Sequence, residues 1–270
     1  MNANKALWEK GDFTRLAATM RDSGTQLVEA LGVSAGMDVL DLGCGDGTTA
    51  IPAAECGATV LGVDIAANLV AAGNARATEA GLENIRFQVG DASNLEVIGD
   101  DSFDLVVSMF GAMFAPRPID VAREMVRVTR RGGRIVMGNW IAGDPTLVAQ
   151  ILRISAAYAP PPPEGFVSPV TWGVEDTVRE RFGAAGVKPE DIRCERATYV
   201  FRADFPVSEF LAVFRDYYGP TMNAFDAAAK DGRQHDLEAE LAALFDAQNR
   251  GGPERTEIPA TYLKVTVSKA

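Results

Sequence analysis

Histidine is almost missing from this chain: His235 is the only one in 270 residues. Cysteine is nearly as scarce. Cys44, Cys56 and Cys194 lie far apart, with no Cys-x-x-Cys pair. That spacing excludes the common zinc-site and disulfide frameworks and points to a reducing, cytoplasmic setting with no metal centre. Positive charge is also in deficit, 26 Lys and Arg against 37 Asp and Glu, for a net charge of −11. Such a surface repels phosphate backbones and anionic lipid, so neither nucleic acid nor a membrane is an expected partner. No apolar run reaches the length of a membrane span. The amino terminus, Met1-Asn2-Ala3-Asn4-Lys5, carries no apolar stretch of the kind a signal peptide needs. The one basic cluster, Arg123, Arg127, Arg130, Arg131 and Arg134 with Glu124 among them, reads as a solvated helix face leading into a loop.

Against these absences, 47% of residues are hydrophobic and 23% charged, ordinary values for a globular chain long enough to bury a large core. The most informative stretch is Val39-Leu40-Asp41-Leu42-Gly43-Cys44-Gly45-Asp46-Gly47-Thr48-Thr49. A short apolar run suits a parallel strand covered on both faces. Glycines just past its carboxyl end let the backbone turn sharply and approach a ligand. Thr48 or Thr49 then stands where a helix would begin and cap. A strand, glycine turn and helix of this kind hold a nucleotide-like cofactor at the carboxyl edge of an open sheet. The dinucleotide pattern needs a third glycine where this chain has Thr48, which disfavours NAD. Asp64 ends the next apolar run and suits a carboxylate that grips ribose hydroxyls. Cys44, inside the turn, reads as a compact filler.

Asp-Leu-Gly-x-Gly-x-Gly at 41–47, with the later acid Asp64, resembles the first two motifs of class I S-adenosylmethionine (SAM)-dependent methyltransferases. Gly90-Asp91-Ala92, after the alternating run Ile85–Val89, resembles the third. The resemblance spans residues 36–141. It implies SAM as cofactor, held by Asp41, Gly43, Cys44, Gly45, Asp64, Ile65, Asp91, Ala92 and Met109. In the family an amino-terminal helical segment folds over the cofactor, which would bring Phe13 and Arg15 to it, with Trp8 and Met20 alongside. Arg127-Val128-Thr129-Arg130-Arg131-Gly132-Gly133 is similar to the Arg-Val-Leu-Lys-Pro-Gly-Gly turn of ubiquinone- and menaquinone-biosynthesis methyltransferases, with Arg131 in place of the proline.

The implied architecture is α/β: a doubly wound, Rossmann-like sheet of seven strands, the last antiparallel beside the fifth, with a helical lid. One domain, 1–270, would comprise a helical cap at 1–35, the SAM-binding core at 36–141, and lid insertions at 144–172 and 204–255. Helices are read at 4–31, 48–56, 68–80, 119–129, 146–158, 174–182 and in three pieces over 208–248. Strands are read at 37–42, 60–63, 85–89, 103–108, 135–137, 191–202 and 261–267. The expected substrate pocket lies between lid and sheet, walled by Met113, Trp140 and Trp172 and fitted to a small, partly apolar molecule. No base carries a motif; His235, Asn139 and Tyr217 are the candidates, with Tyr218 and Tyr262 also within reach. Methyl transfer is an in-line displacement in which alignment does most of the work, so a base is optional. Two other functions stay open: a SAM-binding regulatory or assembly module without turnover, and an NAD-linked oxidoreductase. A homodimer is compatible with all of them.

Overall fold

Seven apolar stretches pair into a single sheet in the order β3-β2-β1-β4-β5-β7-β6. The structure, a computed structural model, describes residues 3–270. Met1 and Asn2, which begin both the expected cap and the stretch read for a signal peptide, lie outside the described residues. The first half of the chain runs α1 (Ala3–Glu9), α2 (Thr14–Ala17), α3 (Arg21–Ala30), β1 (Asp38–Leu42), α4 (Ala50–Glu55), β2 (Thr59–Asp64), α5 (Ala67–Glu79), β3 (Ile85–Val89) and β4 (Phe103–Met109). The second half runs α6 (Pro118–Val128), β5 (Thr129–Trp140), α7 (Leu147–Tyr158), α8 (Glu175–Ala184), β6 (Ile192–Ala203), α9 (Val207–Tyr217), α10 (Gly219–Lys230), α11 (Gln234–Gln248) and β7 (Thr256–Ser268).

β1 pairs in parallel with β2 and β4, β2 with β3, and β4 with β5. β7 enters antiparallel between β5 and β6. The central strands are nearly free of polar residues because both faces are covered. Leu40, Leu42 and Val106 face one apolar core, and Val39, Leu105 and Val107 face the other. The order reverses between β1 and β4, and at such a switch point the carboxyl ends of the strands open a crevice for ligands.

Four local readings need correction. The stretch 4–31 is not one helix: it breaks at 10–13, where Gly11 leaves no room for a side chain, since a Cβ there would lie 2.5 Å from the Tyr217 carbonyl. Neither threonine caps α4 with its side chain. Thr48 Oγ instead accepts from the Arg21 guanidinium, which also grips Asp46. The basic stretch after α6 is not a free turn but the start of β5, with irregular pairing between Phe103 and Leu105. Of its cluster, only Arg123 and Arg131 stand exposed as a solvated face. Arg127 binds Glu124, Asp100 and two carbonyls, Arg130 bridges Asp38 and Asp104, and Arg134 reaches the Leu31 carbonyl. Finally, β5 runs past the expected end at 137 as far as Trp140, and Asn139 and Trp140 are buried, because β7 pairs alongside them as far as Tyr262.

Of the three helices after β6, α10 and α11 pack on α7, and α9 packs on both of them, over the carboxyl edge of the sheet. Their apolar sides supply a stack of rings. Phe201, Phe210, Phe214 and Phe245 lie with centroids 5.2–6.2 Å apart, at tilted and edge-on angles. Such geometry suits the quadrupoles of the rings and adds to their area burial.

Candidate functional site

The loop after β1 is shaped by two close approaches. Gly43 has φ +71°, and a Cβ on it would lie 2.7 Å from Gly111 Cα, so the loops after β1 and β4 touch backbone to backbone. The Gly43 and Cys44 amides both donate to the Val63 carbonyl, at 2.7 and 3.2 Å, pinning the turn to the end of β2. Gly45 has φ +56°, yet its missing side chain would point into open space, with only the Phe13 ring at 3.9 Å. That space is a crevice at the carboxyl ends of β1, β2, β3 and β4, with an empty volume of about 900 Å3 when the open solvent at its mouth is included.

Three acids from three strand ends line it. Asp64, 9% exposed, accepts from the Gly45 amide at Oδ2 and the Ala66 amide at Oδ1, each at 2.9 Å. Burial raises its pKa, while these amides and that of Ile65 pull it back. Asp91 Oδ1 accepts from the amide and hydroxyl of Ser93, at 2.9 and 2.7 Å. Its Oδ2 has only the Arg117 guanidinium, 3.9 Å away. Asp41 is the unusual member. Its Oδ2 is sealed from solvent with no hydrogen-bond partner. Burial, reinforced by the charge of Asp64, pushes its carboxyl up to about 8, against the pull of the Ala50 amide. An unpaired buried carboxyl is costly as an anion and stays protonated at neutral pH unless a cation joins it. The Cys44 thiol is likewise pushed well up by burial and the nearby acids, which leaves it inert, as a filler should be.

Of the residues expected at the cofactor, Asp41, Gly43, Cys44, Gly45, Asp64 and Ile65 line this cavity, as do Asp91, Ala92, Met109 and Phe13. Arg15 does not. It pairs with Asp12 at 3.4 Å and stands 6.0 Å from the Tyr217 ring, its side chain 66% exposed. The amino-terminal helix closes the cavity from above. Lys5 donates to the Ile65 carbonyl at 3.1 Å, the Ala67 amide donates to Glu9 at 3.0 Å, and Lys10 reaches Asn223 and Asp226 on α10.

A second compartment of about 320 Å3 adjoins the first and shares Trp8, Phe13, Met20 and Phe110 with it. Phe110, at the tip of β4, sits at φ +63°, a conformation that side chains seldom adopt. The kink lays its ring flat on Trp140, at 3.8 Å and 6°. Strain of this sort gathers at functional sites. Trp140 lines the second compartment as expected of a pocket residue, but Met113 and Trp172 line neither. Both are buried on the far side of the crevice, Trp172 beneath the Arg181 guanidinium and against Phe182.

The candidate bases also lie elsewhere. His235 is exposed at the start of α11. Asn139 alternates with Trp140 on β5 and so faces the opposite side of the sheet, fully buried with both amide atoms unpartnered. Tyr217 is half-buried beside Arg15, while its neighbour Tyr218, a residue further round the helix end, turns into the second compartment. Tyr199, Phe201 and Phe214 also line the two compartments, with no local motif to mark them; only the apolar spacing of β6 and α9 hinted at their inward faces. Among the described residues, no group of three or more His, Cys, Asp or Glu is placed to hold a metal ion, and no helix is long and apolar enough to cross a membrane.

Residues 39–133 match the methyltransferase-domain family. An uncharacterized protein of Mycobacterium tuberculosis strain H37Rv is 34% identical over 261 residues, which cover 96% of this chain and 88% of that protein. The demethylmenaquinone methyltransferase of Paenarthrobacter aurescens is 36% identical over 114 residues, 42% of this chain and 43% of that one. Among solved structures, Haemonchus contortus phosphoethanolamine N-methyltransferase 2, in complex with phosphomonomethylethanolamine and S-adenosylhomocysteine, has the same fold. Its TM-score is 0.63 at 15% identity, over 100% of this chain and 61% of that chain.

Proposed function

Because the chain belongs to the class I SAM-dependent methyltransferases, we propose that the larger cavity holds the cofactor and that the methyl goes to a small, partly apolar molecule in the compartment beside it. The convergence of the 43–47 turn, Asp41, Asp64 and Asp91 on one cavity carries this reading.

The residues fit a positively charged adenosine compound. Each carboxylate oxygen has two acceptor sites, so Asp64 keeps acceptor capacity for a ribose hydroxyl beyond its amide bonds. The outer oxygen of Asp91 and the Ala92 amide, which donates to no described residue, suit the amino group and a ring nitrogen of adenine. Ile65 and Leu69 supply apolar contact for its face. The acidic lining of the cavity, Asp41, Asp46, Asp64 and Asp91, suits a sulfonium or ammonium compound. Gly45 leaves free the space that a Cβ would take.

Bound there, the cofactor would supply an electrophilic methyl carbon on a sulfonium, whose carbon–sulfur bond breaks as the acceptor attacks, with the neutral thioether S-adenosylhomocysteine as leaving group. The chain's own contribution is alignment and exclusion of water: α1 covers both compartments through Trp8, Phe201 and Phe214 of the ring cluster line the second, and Phe110 is part of the wall they share. Alignment of that kind is worth roughly 7–11 kcal/mol. A base is needed only where the acceptor must lose a proton at or before transfer.

Calorimetry with SAM, S-adenosylhomocysteine and NADH tests the cofactor, and Asp64→Ala should weaken SAM binding by about 1.5–3 kcal/mol. Tighter binding of NADH, or an unchanged affinity in the variant, would overturn the assignment. Release of S-adenosylhomocysteine across a metabolite panel distinguishes this enzyme from a module that binds SAM without turnover.

A further inference from the structure

The second compartment is unusual in what its wall leaves out. Among the described residues, none of the side chains lining it is charged, and none is a serine, threonine, asparagine or glutamine. Rings dominate from every direction: Trp8 and Phe13 from the amino-terminal segment, Trp140 and Phe201 from the sheet, Phe214 and Tyr218 from the insertion after β6. They meet mostly edge to face, with Trp8 against Phe114 at 4.9 Å and Phe214 against Tyr218 at 5.3 Å. The slot is narrow: its empty volume is about 320 Å3 with the open solvent at its mouth included. Bringing a charge into it would cost the hydration of that charge with no counter-charge to repay it.

Two polar groups in this wall are uncommitted. Neither the Tyr218 hydroxyl nor the Trp140 indole N–H makes a hydrogen bond to a described residue, and neither is sealed off, although both side chains are more than nine-tenths buried. By contrast, the Trp8 indole is satisfied by Asn4 at 3.2 Å, and the Tyr199 hydroxyl by the Met20 carbonyl at 3.1 Å. Buried polar groups are normally paired, so an open pair of donors in an apolar slot is a specificity element awaiting its ligand.

We infer that the methyl acceptor is a flat, uncharged, aromatic or conjugated molecule that presents an oxygen to the Tyr218 hydroxyl. This rests on the cofactor reading above and narrows its acceptor. It also sets this site apart from one that takes a phosphorylated or zwitterionic amine, for which the wall has no counter-charge. Tyr218 acts as a positioning residue. Burial holds its hydroxyl protonated far above neutral pH, so it orients an oxygen rather than removing a proton.

Three molecules on one ring skeleton test this: 2-naphthol, naphthalene and 2-naphthalenesulfonate, titrated into the full-length protein saturated with S-adenosylhomocysteine. 2-Naphthol is expected to bind tightest. Naphthalene should bind roughly two- to tenfold more weakly, the scale of one neutral hydrogen bond, and the sulfonate should show no binding. In Tyr218→Phe, 2-naphthol should fall to the level of naphthalene while naphthalene and S-adenosylhomocysteine keep their affinities. Val148, which lines only the second compartment, gives an independent test: Val148→Phe should abolish 2-naphthol binding and spare S-adenosylhomocysteine. Sulfonate binding equal to that of 2-naphthol would overturn the inference, as would an unchanged ratio of 2-naphthol to naphthalene in Tyr218→Phe. Normal S-adenosylhomocysteine binding with no 2-naphthol binding would overturn the acceptor assignment alone. Failure to bind S-adenosylhomocysteine would overturn the cofactor reading and this inference with it.

Discussion

Replacing Asp41 with Asn should make the protein more stable, and increasingly so as the pH rises. The buried carboxyl has an unpartnered oxygen and titrates near 8, against 3.8 for an ordinary aspartate. Its folded pKa is raised, so between those two values the folded state holds a proton that the unfolded state has released. Stability linked to this group is therefore complete below about pH 4, falls across the window, and levels off above pH 8. Each pH unit crossed inside the window costs about 1.4 kcal/mol. The full window amounts to about 5–6 kcal/mol, and the part between pH 5 and 7 to about 3 kcal/mol. An asparagine keeps the shape, can still accept from the Ala50 amide, and has no proton to lose. Urea unfolding of both proteins at pH 5, 6 and 7 should show the variant gaining about 1.4 kcal/mol on the parent at each step. A difference that stays flat with pH, or shrinks, would refute the account. SAM binding supplies the counterpart. If its positive charge ionises Asp41, binding to the parent releases a proton and affinity climbs up to tenfold per pH unit toward 8, a slope that Asp41→Asn should lack. Calorimetry in buffers of different ionisation enthalpy reads that proton directly.

Other outcomes follow from the same geometry. Gly43→Ala forces a Cβ to 2.7 Å from Gly111 Cα at φ +71°, so it should lower the urea midpoint by an amount equivalent to about 2–4 kcal/mol. Arg21→Ala leaves the almost wholly buried Asp46 with only the more distant Arg76 guanidinium, 3.8 Å away, and should cost about 3 kcal/mol in the same assay. Phe210→Ala opens a void in the ring cluster under the insertion and should cost about 3–5 kcal/mol, with proteolysis appearing first within residues 204–255. His235→Ala should leave turnover unchanged and stability within about 0.5 kcal/mol, since the side chain is exposed and lines neither compartment.

The part of the site that could be read in advance was the part written in backbone. Gly43, Gly45, Asp64 and Asp91 sit at strand ends, where a fixed fold dictates where a residue goes, so a short motif sufficed to bring them together. The antiparallel seventh strand followed for the same reason. Side chains that meet only through tertiary packing were another matter. Arg15 was assigned to the cofactor on chain position alone, yet its helix turns it toward Asp12 and Tyr217. Tyr217 and Tyr218 differ by one step at the end of a helix, and a step decides which of them faces inward; the sequence marks neither. Trp172 and Met113 are as apolar as Trp140, and apolarity says that a side chain is buried but not against what. The basic cluster after α6 looked idle because its partners, Asp38, Asp100 and Asp104, lie across strands that only the folded sheet brings near.

β6 and β7 are joined by a long excursion whose two ends, Ala203 and Thr256, face each other in the strand register. The sheet thus sees only a hairpin, whatever the chain does between those residues. Lengthening a closed loop costs little once its ends are held, growing only with the logarithm of its size. The strand register therefore leaves the length of the roof that carries Phe214 and Tyr218 free, while its packing on Phe201 and α7 ties the roof's side chains to the floor.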